Sequence, residues 1–176
     1  MLNPYSTPDQ QGFDLPASDR VAAVRGLQII SAALAVGVLV FMGVTLVVNE
    51  GALDGSPDVV SWVGLGFAAI MFVSHLVIPG IVAGTILNGV DAERLRNADA
   101  AEKFAAVMPA LSVRTIIACA LLEGAAFMNL VAYLTSQFSG NLVAAAILVV
   151  LIGIRIPSIS SVQFWVDDRI HEIEAR

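Results

Sequence analysis

The chain has a single cysteine, Cys119, among 176 residues, so it cannot form an intramolecular disulfide framework. Charged residues make up only 14% of the sequence, well below the level of an ordinary soluble domain. No His, Cys, Asp and Glu set has metal-ligand spacing, no glycine-rich stretch has the form of a phosphate-cradling loop, and no nucleophile stands with a base. These absences point away from a resident cofactor, a metal centre and an enzymatic site. A formal charge of −6 gives no basic surface for nucleic acid. The most informative shortage is local. All nine Lys and Arg residues lie at Arg20, Arg25, Arg94, Arg96, Lys103, Arg114, Arg155, Arg169 and Arg176, and the connections at 49–58 and 136–141 contain none.

What fills the space between those charges is apolar. The sequence is 57% hydrophobic with a mean hydropathy of +0.83. Four runs, 26–48, 60–88, 113–135 and 142–162, each have the roughly 20 residues that a helix needs to cross a bilayer. Basic residues are retained on the cytoplasmic side of a membrane. Their distribution therefore predicts an all-α integral membrane protein of the inner membrane, with four transmembrane helices, both termini and the central loop cytoplasmic, and the lipid bilayer as its first partner. The first run exceeds the apolar core of a signal peptide and reads as an uncleaved anchor.

Outside the spans, residues 1–19 are polar and interrupted by Pro4, Pro8 and Pro16, which predicts a disordered tail, with Asp19 as a cap for the first helix. The cytoplasmic loop 91–109 and the segment 163–176 both mix helix formers, charges and spaced apolar residues. They predict amphipathic helices at the membrane surface, the first ending before Pro109. Trp62 and Trp165 fall at opposite membrane faces, where indole rings partition well.

An internal repeat is suggested by two offsets. A shift of about 87 positions pairs Ile29 with Ile116, Ala33 with Ala120 and Gly37 with Gly124, and a shift of about 78 pairs Ala68 with Ala146 and Pro79 with Pro157. Two parallel-repeat hairpins would result. Ala33 and Gly37, like Ala120 and Gly124, form small-x-x-x-small pairs that let backbones approach in lipid, so the first and third spans are expected to meet through them. Pro79 and Pro157 each remove a backbone donor and are expected to kink the second and fourth spans.

Glu123 is the only acidic residue within any span. It lies about 13 Å beyond Arg114 at 1.5 Å per residue, near mid-membrane. A charged carboxylate is costly there, so Glu123 is expected to hold a proton or to pair with a cation. His75 and Arg155 are the available partners, and Asn129, Gln28, Ser31 and Ser74 could line the same interior. Cys119, one turn below, reads as a small buried hydrophobe. Two functions fit this set. In one, a Glu123-centred site of Glu123, His75, Arg155 and Asn129 binds a proton or cation within a homo-oligomer or larger membrane complex. In the other, the chain is a structural or assembly subunit and Glu123 staples the bundle.

The stretch RTIIACALLEGAAFMNLVAYL, residues 114–134, resembles a helix of an uncharacterised bacterial family of four-helix inner-membrane proteins. Its inner part, LLEGAAFMNLVAYL from Leu121 to Leu134, is similar to the carboxylate helix of the proteolipid (c) subunits of rotary ATP synthases. That resemblance implies a proton-carrying role for Glu123. The sequence departs from the proteolipid pattern in lacking an alternating-glycine partner helix and in placing the acid on the opening helix of its hairpin.

Overall fold

The computed structural model describes residues 17–175, with side chains from Val21. Most of the segment expected to form a polar tail lies outside the described residues. Six helices follow in order: α1 (Ala17–Val48), α2 (Val59–Asn88), α3 (Ala92–Asn97), α4 (Ala100–Ser136), α5 (Ser139–Ile154) and α6 (Ile159–Glu174). No strand occurs among the described residues. Three helices are long and apolar enough to cross a membrane, and a fourth crossing is reached only if the bent pair α5–α6 is counted as one.

Local chemistry sets most of the helix starts. Asp58, Asp91 and Asp99 cap α2, α3 and α4 by accepting backbone N–H groups of the first turn, which otherwise lack partners. Ser158 and Ser161 form a reciprocal capping box at α6. Helix α1 begins at Ala17, so Asp19 lies within its first turn and not ahead of it as a cap.

Two prolines behave differently from the sequence expectation. The helix expected to stop before Pro109 runs straight through it to Ser136. Both Pro109 and Ala105, whose carbonyl loses its donor, lie on the exposed face, while Phe104, Val107, Met108 and Leu111 bury the opposite face in the core. The freed carbonyl is thus not trapped in an apolar interior, and burial offsets the lost bond. Pro157 goes further than a kink: α5 ends at Ile154, α6 begins at Ile159, and the two diverge by 68°. Proline biases Ile156 away from helical geometry, and Gln28 Nε2 donates to the carbonyl of Pro157 at 2.9 Å, fixing the break against α1. The span expected at 142–162 is therefore divided. Pro79, by contrast, is buried within an uninterrupted α2.

Helix α4 is the axis. It packs against α1, α2, α3, α5 and α6, whereas α1 and α2 make no extensive contact with each other. The first two spans are thus not a packed hairpin, in contrast to the architecture expected from the repeat. Two apolar cores result. One, around Val38, Cys119, Leu122, Ala126, Leu130 and Ile152, joins α1, α4 and α5. The other, around Leu27, Leu87, Leu95, Val107, Val166 and Ile170, gathers α1, α2, α3, α4 and α6 at one end of the bundle. The segments expected to form amphipathic surface helices pack on one another, pinned where Lys103 Nζ meets Glu174 Oε1 at 2.6 Å and Arg96 Nε meets the Glu174 carbonyl at 2.9 Å.

At the opposite end the two connecting loops are sewn together. Asp54 and Phe138 form an antiparallel bridge, Tyr133 Oη donates to the Ala52 carbonyl at 2.7 Å, and Asn49 Nδ2 donates to the Tyr133 carbonyl at 2.9 Å. Gly55 sits so close to this junction that a Cβ would stand 1.9 Å from the Ser136 carbonyl oxygen. Replacing Gly55 by Ala is expected to lower stability by roughly 1–3 kcal/mol through overpacking, read as a lowered melting temperature in detergent. Gly66→Ala, where no heavy atom lies within 4 Å, serves as the neutral comparison.

Candidate functional site

The intramembrane polar residues that the sequence pools into one site occupy separate places. Glu123, on α4, is half-buried at the edge of its contact with α1. A Cβ built on Gly37 would lie 3.8 Å from Glu123 Oε1, so the carboxyl group rests against the glycine backbone of α1. No hydrogen bond or ion pair reaches it from any described residue. The ion pairs found among the described residues are Lys103–Glu174, Arg169–Asp168 and Arg169–Glu172.

The expected partners are elsewhere. His75 is buried on α2, its Nδ1 bonded to the Phe72 carbonyl and its ring 5.0 Å from that of Phe72. Arg155 ends α5 at the break before α6 and acts electrostatically on His75, Cys119 and Arg114. No cation acts in that way on Glu123. Gln28 is engaged with Pro157. Ser31 is buried against Cys119, with 3.8 Å between Oγ and Sγ. Ser74 is partly buried on α2.

The small-residue stripes also take another role. Ala33, Ala120 and Gly124 are exposed, and the space beside Gly124 is open. Helix α1 meets α4 through a neighbouring stripe of Ser31, Leu34, Val38 and Phe41, the last with its ring 5.3 Å from that of Phe127. Larger side chains filling the interface bury more apolar area than a glycine contact would, and the small residues are left facing outward. Only Gly37 of the two pairs lies against the opposite helix.

Asn129 belongs to a second polar group, which sequence reasoning missed. Its Nδ2 donates to the Gly64 carbonyl at 3.0 Å and to the Ala125 carbonyl at 2.9 Å. Asn141 Nδ2 donates to Asn129 Oδ1 at 3.0 Å and to the Ser61 carbonyl at 3.1 Å. Both asparagines are fully buried. The cluster ties α2, α4 and α5 at one level, and Gly64 makes the approach feasible: a Cβ there would lie 3.1 Å from Asn141 Nδ2 and 3.2 Å from Ala132 Cβ. The Ser61 hydroxyl meets that of Ser136 at 2.8 Å just above. One signal for this group was present in the sequence, because an asparagine inside an apolar run is costly unless it has a partner across the bundle. Asn141 is such a residue at the start of α5.

Ser61 also holds the Asp58 carboxyl below the ordinary carboxylate range, first through its backbone N–H and then through its hydroxyl. The associated stability is present above the usual unfolded-state value and is lost as pH falls through the lowered folded one. Asp58 itself is on the exposed outer rim.

Asn129 and Asn141 are expected to be energetically coupled. In a double-mutant cycle with alanine, measured by thermal unfolding in detergent, each single change should cost roughly 0.5–2 kcal/mol and the pair less than the sum. Strict additivity would show that the amide–amide bond contributes nothing.

The comparisons with known proteins supply no further assignment: no family model matches the chain, and neither a curated protein nor a solved structure shows significant similarity to it.

Proposed function

We propose that this chain is a small polytopic protein of the inner membrane whose Glu123 reversibly binds a proton, acting within a homo-oligomer or a larger membrane complex. The observation that carries the reading is the isolation of Glu123, which is half-buried in an apolar helix with no hydrogen-bond or ion-pair partner among the described residues. An ionised carboxylate in such a place is expensive, and holding a proton is the least costly way to remove the charge. A bound metal cation would call for several oxygen ligands around it, and among the described residues no group of three His, Cys, Asp or Glu stands together.

Two further features support the proposal over a staple. The bundle already has a polar tie in Asn129 and Asn141, remote from Glu123 in its bonding. The face beside Glu123 carries exposed Ala120 and Gly124, which leaves room for the helix of a neighbouring copy. In this reading α5 is the fourth crossing, and the basic residues keep both termini and the α3 region on the cytoplasmic side.

The test is chemical. Dicyclohexylcarbodiimide, which reacts with protonated carboxyl groups in apolar surroundings, is expected to label Glu123 in membranes, with labelling falling as pH rises. Glu123→Gln should abolish labelling while leaving the melting temperature within about 2 °C of the unsubstituted chain, since Gln is nearly isosteric with the protonated acid and no hydrogen bond or ion pair is lost. Absence of labelling at every pH, together with a large loss of stability in Glu123→Gln, would instead assign the residue a structural role.

A further inference from the structure

The break at Pro157 opens a cavity of about 250 Å³ between α4, the end of α5 and the first turn of α6, with Arg114, Thr115, Arg155, Pro157, Ser161 and Trp165 among its lining residues. Its charge is unbalanced. Arg114 feels the positive charges of both Arg155 and Arg169. Arg169 is compensated by Asp168 and Glu172 on its own helix, but no carboxylate among the described residues pairs with Arg114 or Arg155. The Trp165 ring organises the group, with the Arg114 and Arg169 guanidinium carbons 5.8 Å and 5.9 Å from its centroid. The indole Nε1–H of Trp165 is itself buried without an acceptor among the described residues.

Like charges gathered around a hollow at the edge of an apolar bundle are repulsive until an anion enters. Guanidinium groups present forked donors that match phosphate oxygens in pairs, and the opening turn of α6 forms one wall, adding the positive end of its dipole. At the cavity's edge Ile154 is 73% exposed and Ile156 38% exposed, an apolar flank suited to acyl chains. Basic pockets at the cytoplasmic edge of helical bundles are suited to anionic headgroups.

We propose that this cavity binds a phosphate group, with Arg114 and Arg155 as its principal ligands, and that an anionic phospholipid presents it. Occupancy would neutralise the two unpaired guanidiniums and secure the joint between α5 and α6.

The full chain in a nonionic detergent, carrying Trp62→Phe so that Trp165 is the only tryptophan, provides a direct readout. Its fluorescence is expected to change saturably on adding phosphatidylglycerol, and not on adding phosphatidylcholine, at constant ionic strength. Arg114→Gln and Arg155→Gln should each weaken the response by about tenfold, the scale of one lost charge-assisted contact. The double substitution should remove it, and Arg25→Gln should leave it unchanged. Inorganic phosphate separates the sources: saturation with phosphatidylglycerol alone assigns the lipid, whereas saturation with both assigns the phosphate group itself. Equal responses to the anionic and zwitterionic lipids, no saturable response to either phosphate source, or a response that survives the double substitution would each overturn the proposal. The lipid comparison on the otherwise unsubstituted chain decides the matter even if a Gln variant fails to fold.

Discussion

The architecture depends on how closely α2 and α5 can approach α4. In a bilayer there is little hydrophobic drive between helices, because lipid tails are as apolar as the side chains they replace. Association rests on close packing and on the few polar groups that need partners. Here Gly64 admits the asparagine side chains, Asn129 spans from α4 to the backbone of α2, and Asn141 completes the chain from α5. The loops above are tied by Tyr133, Asn49 and the Asp54–Phe138 bridge. At the far end the tie is mainly apolar, with α6 folded onto α1, α3 and α4 and pinned at Glu174 by Lys103 and Arg96. Helix α4, 37 residues long, runs through both regions.

Glu123 lies between these two ends and belongs to neither. Its nearest feature is the bare backbone of Gly37, while the groups with chemistry to offer are committed elsewhere: His75 to its own helix, Gln28 to the break and Asn129 to the junction. Arg155, which the sequence offered as a counter-ion, instead stands with Arg114 around the cavity beneath α5. The molecule thus separates an isolated acid on α4 from a pair of bases contributed by α4 and the end of α5, and none of the three has a counter-charge among the described residues.

Much of the fold was legible in the residues. The near-continuous apolar runs and the sparse charge required helices, and the long apolar helices α1, α2 and α4 agree with that. The grouping of the polar residues was not legible. Counting at a fixed rise per residue gives depth along a helix but not direction around it, so Glu123, Asn129, His75 and Arg155 fell into one set when they face different neighbours. The small-residue pairs misled for the same reason, since on α1 the Ala33 stripe and the Leu34 and Val38 stripe are one residue, or about 100°, apart around the helix. Pro109 and Pro157 show a third limit. Which proline ends a helix was decided by what lay around it, an exposed face and a large core in one case and the amide of Gln28 with a serine cap in the other.

The unequal lengths of α2 and α5 have a consequence for the surrounding lipid. At 1.5 Å per residue the 30 residues of α2 extend about 45 Å and the 16 of α5 about 24 Å. With α5 as the fourth crossing, as proposed above, a bilayer that adheres to both flanks is thinner along one side of the molecule than along the other, a deformation whose elastic cost falls when two such thin edges are placed together. The abrupt turn before α6 would in that way bias which flank meets a neighbour, independently of any side chain at the contact.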